Sequence, residues 1–341
     1  MKILLDRIPT LLAWVRRYPG LVAAFGFCSG LASFLLVERQ ANLAKVLGVV
    51  LLASWLWLML ENLLREHIAR RFGFELPIPL LRYATQMIHQ ESLFFVLPFF
   101  FITTTWNSGQ LLFSGLLAVA ALISITDPLY YRWLAARRWL LLMFHSLALF
   151  AVMLTALPII FHLSTPQSYR VALVLTTLLT LPSLPGLIGF VGWRRAVALA
   201  ALPLILGAGG WLARTWVPPA TLWLNEVAVT AEFDGAQRSP GRSIERISPA
   251  QLSAGGLYAY TAINAPRGLN ERIYHVWRHD GREVDRIALD IQGGRKEGYR
   301  AWSHKQNFPA EAQGRWQVQV LTEAGQLIGV LRFDVADAPG T

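Results

Sequence analysis

The chain has 341 residues, 54% of them hydrophobic, with a mean hydropathy of +0.42 and a formal net charge of +10. Such a composition excludes an ordinary soluble globular protein. The charge does not indicate a nucleic-acid binder either. Residues 1–214 hold 17 Lys/Arg against 7 Asp/Glu, and the remainder holds 14 of each, so the basic excess belongs to the apolar part.

The N-terminal stretch from Met1 to Gly30 has a basic start and an apolar run that continues through Leu35-Leu36-Val37, with no small-x-small cleavage site. It predicts a retained anchor rather than a cleaved signal peptide. Cys28 inside this run is the only cysteine, which excludes an intrachain disulfide, and bulky Phe27 before it excludes a lipoprotein signal.

A helix crossing a bilayer needs about 20 apolar residues. Seven stretches qualify as candidates: Gly20–Val37, Leu43–Leu64, Ser92–Trp106, Leu111–Ile125, Trp139–Phe161, Val171–Trp193 and Ala196–Trp211. The third and fourth are short and joined by Asn107-Ser108-Gly109-Gln110, a tight polar turn, so they read as a helical hairpin. Pro77-Ile78-Pro79 predicts a chain lying at the membrane interface. Leu181-Pro182-Ser183-Leu184-Pro185-Gly186 interrupts the sixth helix by removing amide donors.

The loops assign an orientation. One alternating set carries Lys2, Arg7, Arg16, Arg17, Arg65, Arg70, Arg71, Arg82, Arg132, Arg137, Arg138, Arg194 and Arg195; the other carries only Arg39, Lys45, Arg170 and Arg214. By the positive-inside rule the N-terminus is cytoplasmic and the C-terminal part lies on the far side, the periplasm of a two-membrane bacterium. The multi-pass segment then belongs to the inner membrane, with the lipid bilayer as its partner.

Ionisable groups near the helix ends are Glu61, His89, Glu91, Asp127, His145 and His162, of which His145 is the deepest. Headgroup contact accounts for groups within a turn of a boundary. His89, Glu91 and His145 form the candidate membrane site, beside the broken sixth helix. No internal repeat supports a transporter, and no His-Glu-x-x-His spacing supports an intramembrane metalloprotease.

At Trp216-Val217-Pro218-Pro219 the character changes. The layout is a helical domain over residues 1–216, a linker over 217–220 and a soluble domain over 221–341. From Thr221 the apolar period shifts toward two, with strands expected at Leu222–Val229, Leu257–Ile263, Arg272–Arg278, Val284–Ile291, Tyr299–His304, Arg315–Leu321 and Leu327–Val335. Turn signals at Asp280-Gly281, Gly293-Gly294, Gln313-Gly314 and Ala324-Gly325 separate them. Seven short strands in this span predict an immunoglobulin-like β-sandwich held by packing alone.

Two strands carry the candidate binding surface. His275 and Trp277 share one face of the first, and Arg300 and Trp302 share one face of the second. If the faces adjoin, they form an aromatic surface with charged tips, suited to stacking on sugar rings or ligand faces. The competing reading places Trp277, Trp302 and Trp316 in the core with His275 and Arg300 satisfied at its edge. His275 and His279 stand about 13 Å apart along a strand and do not share one ion, so no metal is expected. Ser303 has no nucleophile elbow around it and no assigned acid. No cofactor is implied.

The run His275-Val276-Trp277-Arg278-His279-Asp280-Gly281, then Arg300-Ala301-Trp302-Ser303-His304-Lys305, then Gly314-Arg315-Trp316-Gln317-Val318, ending in Phe333-Asp334-Val335, resembles a bacterial domain of unknown function, family 2914. The resemblance covers about the last third of the chain. It implies an extracytoplasmic β-domain, often joined to membrane segments, and carries no activity or catalytic residue.

The function expected from these readings is that of a non-enzymatic inner-membrane protein whose periplasmic sandwich binds an envelope protein or glycan. The alternative is a membrane-embedded enzyme or carrier for a lipid-linked substrate, with the sandwich as accessory.

Overall fold

A computed structural model of the chain describes residues 78–181, 184 and 191–337, with isolated positions 28–29, 32, 46, 49–50 and 52–55. Five long helices appear among the described residues: α1 (Ile78–Thr103), α2 (Gln110–Ile125), α3 (Arg138–Phe161), α4 (Thr165–Thr180) and α5 (Trp193–Leu212). The expected spans Gly20–Val37 and Leu43–Leu64 lie almost wholly outside the described residues.

Among the described residues two helices are long and apolar enough to cross a membrane, Arg138–Phe161 and Trp193–Trp216. A third is added if α2 and the π-helical turn Pro128–Leu134, bent by 101° from each other, count as one span. The 16 residues of α4 reach only about 24 Å, and the first half of α1 carries Arg82, Gln86, His89, Gln90 and Glu91. Pro79 is helical rather than part of a loop. It stands in the first turn of α1, where a missing N–H costs no helical bond. At the other break, α4 ends at Thr180, just before Leu181-Pro182.

The C-terminal region is all-β apart from one short helix. Its strands are β1 (Trp223–Thr230), β2 (Phe233–Asp234), β3 (Ser239–Pro240), β4 (Arg246–Ile247), β5 (Leu257–Asn264), β6 (Asn270–His279), β7 (Arg282–Gln292), β8 (Tyr299–Lys305), β9 (Gly314–Thr322) and β10 (Leu327–Val335). The seven longer ones fall where the alternation places them. The hairpin β2–β3, the strand β4 and helix α6 (Pro249–Gly255) carry no apolar period and escape it. α6 announces itself chemically instead, since Ser248 and Gln251 form a reciprocal capping box ahead of Leu252.

The strands form a three-stranded sheet in the order β1-β5-β8 and a five-stranded sheet in the order β4-β10-β9-β6-β7. Every pairing is antiparallel except β10 with β4. One apolar cluster draws Val229, Ala259, Ile263 and Ala301 from the first sheet and Ile273, Trp277, Trp316, Val318, Val320 and Phe333 from the second. The two sheets therefore share a core.

The chain divides into two compact units. One takes in Met1–Phe101, Ser114–Ala156 and Val171–Trp211; the other takes in Ile102–Phe113, Leu157–Arg170 and Leu212–Thr341. The β-region thus includes two helix-connecting segments from earlier in the chain. Gln110 Nε2 of the first donates to Leu327 O at 2.8 Å; after α5, Arg214 Nε donates to Ala324 O at 2.9 Å and Val217 O accepts from Gln326 Nε2 at 2.9 Å. Gly268, at φ +85°, lets the His162 ring approach to 3.1 Å of where a Cβ would stand.

Glu271, 3% exposed at the start of β6, accepts the backbone N–H of Thr165 at 2.6 Å, where α4 begins. Burial pushes this carboxyl up to about 7 from its ordinary 4.5, against the opposing pull of the Thr165 bond. The folded chain then holds a proton that the unfolded chain has released, so stability falls as pH rises from about 4.5 to about 7 and is level above. Glu271→Gln is expected to abolish that slope in thermal melts between pH 5 and 8. It should also raise stability at pH 8 by at most about 3 kcal/mol.

Candidate functional site

The residues that carry the His-x-Trp and Trp-Ser pattern meet inside the β-region. His275 and Trp277 are both fully buried. His275 Nδ1 lies 2.9 Å from Ser303 Oγ, and its Nε2 lies 3.1 Å from Thr261 Oγ1. Trp277 Nε1 donates to Ser303 Oγ at 3.3 Å, and Thr261 Oγ1 donates to Ala301 O at 3.3 Å.

Hydrogen accounting orders these bonds. Thr261 spends its hydroxyl hydrogen on Ala301 O, so it accepts from His275 Nε2–H; Nδ1 then accepts from Ser303, whose oxygen accepts from Trp277. The chain Trp277→Ser303→His275→Thr261→Ala301 O uses each hydrogen once. Because β6 belongs to one sheet and β5 and β8 to the other, it rivets the two sheets together. Burial holds the His275 imidazole down to about 3, which keeps it neutral in this tautomer.

A serine beside a histidine invites a hydrolase reading, but here both are inaccessible and no carboxylate joins them. His275 and Trp277 therefore do not form a surface with Arg300 and Trp302, contrary to the expectation of one aromatic face. The reason is the layering: β6 and β8 lie in different sheets, and β8 turns Ala301, Ser303 and Lys305 inward and Arg300, Trp302 and His304 outward.

The other recurring residues also have structural posts. Lys305, 5% exposed, ties β8 to β7 through Asp285 Oδ2 at 3.0 Å. Trp316 Nε1 donates to Ala312 O at 2.8 Å, and its ring stacks on His279 at 4.5 Å. Gly314, at φ +128°, admits Asp280, which accepts Arg315 N at 3.0 Å; a Cβ there would stand 2.7 Å from the Asp280 carboxylate.

What remains for binding is the outer face of β1-β5-β8. Trp302 is half-buried and packs 4.6 Å from the Phe233 ring of the β2–β3 hairpin. Tyr258 and His304 stack at 3.9 Å with their planes 7° apart. Charged groups frame the row: Glu226 accepts from Tyr260 Oη at 3.3 Å, and Arg300 Nη1 donates to Gln237 O at 2.9 Å. Tyr258 and Phe233 were not singled out by sequence, although Tyr258 and Tyr260 stand two apart on one strand face.

A second cluster lies in the helical unit. His89 of α1 is fully buried, with Nδ1 2.8 Å from Tyr130 Oη and Nε2 3.0 Å from His145 Nδ1 of α3. Trp55 meets His145 edge-on at 4.3 Å and donates through Nε1 to Ser92 Oγ at 3.1 Å. Next to it, Gln86 Nε2 donates to Ser124 O at 3.0 Å and to Asp127 Oδ1 at 2.9 Å, and its Oε1 accepts from Tyr131 Oη at 2.5 Å. Gln90 Nε2 also donates to Ser124 O at 2.7 Å.

The structure thus joins His89 to His145 and leaves out Glu91, about 200° round the helix from His89. Its carboxylate is hydrogen-bonded by Ser29. The sequence signal for the missed members was the i, i+3, i+4 spacing of Gln86, His89 and Gln90, which lines one helix face with polar groups. Tyr130 had no such signal, because it is carried in by the π-helical turn. Chemically, Tyr130–His89–His145 is an unbroken row of groups able to pass a proton.

Removing the rivet has a calculable effect. His275→Ala leaves Ser303 and Thr261 buried without this partner and is expected to destabilise the β-region by about 2–4 kcal/mol in denaturant titrations. The wild type should also lose stability as pH falls from about 6.5 toward 3, since only the unfolded imidazole takes up a proton there. That loss should shrink in the variant.

Comparison with known proteins gives two family matches. The last third is similar to a protein family of unknown function, DUF2914, over residues 270–335. Neither curated proteins nor solved structures give a match. A second profile covers the helices and continues through β1 into β5, and over residues 1–259 it shows that the chain belongs to the family of unknown function DUF5924.

Proposed function

We propose that this is a multi-pass protein of a bacterial cytoplasmic membrane, with its N-terminus inside and its β-region on the outer side as an immunoglobulin-like sandwich. The ratio of 13 basic loop residues to 4 supports the orientation, and the two membrane-length helices support the anchoring. The strand order supports the finer fold. With the seven long strands lettered A to G, the sheets run A-B-E and G-F-C-C′, as in fibronectin-type members of that architecture.

The function is non-enzymatic: the sandwich binds an envelope glycan or protein through the outer face of β1-β5-β8. The observation that carries this reading is the row of Trp302, Phe233, Tyr258 and His304 on the outward side of a sheet whose inner side already has its core. Half-buried aromatic rings, two of them packed on the small cluster of Ala228, Tyr260 and Ala262 and flanked by Arg300 and Glu226, suit a ligand with apolar faces and polar edges.

The test uses the full-length protein in uncharged detergent, titrated with soluble peptidoglycan fragments while tryptophan fluorescence is followed. Saturable binding is expected, weakened about tenfold in Trp302→Ala, a loss of about 1.4 kcal/mol, measured at a temperature where circular dichroism shows the variant still folded. If no glycan binds, photocrosslinking from position 302 in cells decides for an envelope protein. Failure of both removes the reading.

One observation favours a second reading, a membrane-embedded enzyme or carrier for a lipid-linked substrate: the buried row Tyr130–His89–His145. Under it, His145→Ala in a stably inserted protein abolishes function while Trp302→Ala leaves it intact. Under the first reading the two outcomes are exchanged, and complementation of a deletion strain separates them.

A further inference from the structure

The bonds and contacts given above between the strands and the segments that flank the helices occur at one end of the sheets. That end carries the loop Ala265–Leu269 between β5 and β6, the loop 293–298 between β7 and β8, and the β9–β10 turn. The first two are held together by Gly293 N→Leu269 O at 2.8 Å and Gly294 N→Ala265 O at 3.0 Å. Gly268 packs against His162, one residue beyond Phe161, where α3 ends. The β9–β10 turn receives Arg214, just beyond α5. The ends of both membrane-length helices are therefore at this end of the domain.

Two kinds of exposed side chain gather there. Trp106 and Trp216, 48% and 55% exposed, stand on the α1–α2 connection and after α5, and Gly109 lies against the Trp216 ring. Arg267, Arg295 and Lys296 are exposed on the two loops. The loops are held in shape by Asn225 Nδ2→Lys296 O at 3.1 Å and by Arg295 lying 5.2 Å over Tyr299. Glu297 and Glu323 are the exposed acids of the same loops, so the basic groups prevail. Tryptophans at helix ends with cations just beyond them match the two layers of a bilayer surface, the interface and the phosphates.

We propose that this end of the β-domain is a headgroup-binding surface, with Arg267, Arg295 and Lys296 contacting the phosphates of anionic phospholipid in the outer leaflet. The inference rests on the membrane reading above. It makes the bilayer a ligand of the β-domain as well as the solvent of the helices.

The experiment begins with alkaline carbonate extraction of membranes containing the full-length chain. Release into the soluble fraction would sink the membrane reading and this inference together. Retained protein is then purified in uncharged detergent, and the preference for phosphatidylglycerol over phosphatidylcholine is measured by native mass spectrometry. Substitution of all three residues, Arg267→Gln, Arg295→Gln and Lys296→Gln, is expected to lower that preference about fivefold per charge removed. A control with Arg238→Gln, Arg242→Gln and Arg282→Gln, an equal charge change at the other end of the sheets, should leave it unchanged. A preference that survives the first set, or falls equally with the control, overturns the headgroup surface while leaving the membrane reading in place.

Discussion

A polar atom taken out of water must be given a partner, and at its centre the β-domain meets that demand with a directional chain between its sheets. Trp277, Ser303, His275 and Thr261 each donate once, ending on the Ala301 carbonyl. The chain is closed only if His275 is neutral with its hydrogen on Nε2. An additional proton on Nδ1 would confront the Ser303 hydrogen and put a charge in the core. The electrostatics of the site and the registration of the two sheets are thus one fact. Ser303 is an acceptor for Trp277 and a donor to His275, with nothing left over for a substrate.

The same demand shapes the helical unit with a different outcome. Gln86 and Gln90 both spend their amide hydrogens on Ser124, and Gln86 also reaches Asp127, so these residues act as helix-to-helix ties. His89 differs from them. Both of its ring nitrogens face groups that themselves donate or accept, Tyr130 and His145, so the direction of the row is reversible. A row that can run either way is suited to moving a proton; one that runs a single way is suited to holding two sheets in register.

Periodicity made the long strands legible because a residue pair repeats its environment every second position, and all seven lie where the alternation put them. It did not say which face is inside. On β8 the inward residues are Ala301, Ser303 and Lys305, and the larger Trp302 looks out, the reverse of what hydrophobicity suggests. Trp277, Trp316 and Phe333 of the opposite sheet share the core with Ala301 and supply its aromatic bulk. His275 and Trp277 were correctly seen to share a face, yet the pairing of that face with Arg300 and Trp302 needed the sheet order, which no local pattern encodes. Likewise the helical period of α1 was present in Gln86, His89 and Gln90, whereas Tyr130 depends on a bend of 101°.

Glu271 shows how the β-domain accepts cost in order to hold the helix connections. A carboxylate at a helix start is normally favourable, since the first amides are unbonded and the helix dipole is positive there. Here the benefit is reduced because the group is 3% exposed and Glu323 adds a repulsive charge. A residue chosen for the stability of the sandwich alone would be neutral. The acid makes sense as a docking group: it supplies the acceptor that Thr165 N requires, from a strand whose middle carries His275 in the rivet. β6 therefore links the connection at Thr165 to the centre of the core through one rigid element. Displacement of that connection would be felt at the sheet-to-sheet bonds, and through β8, the strand of Ser303 and Trp302, at the outer aromatic face.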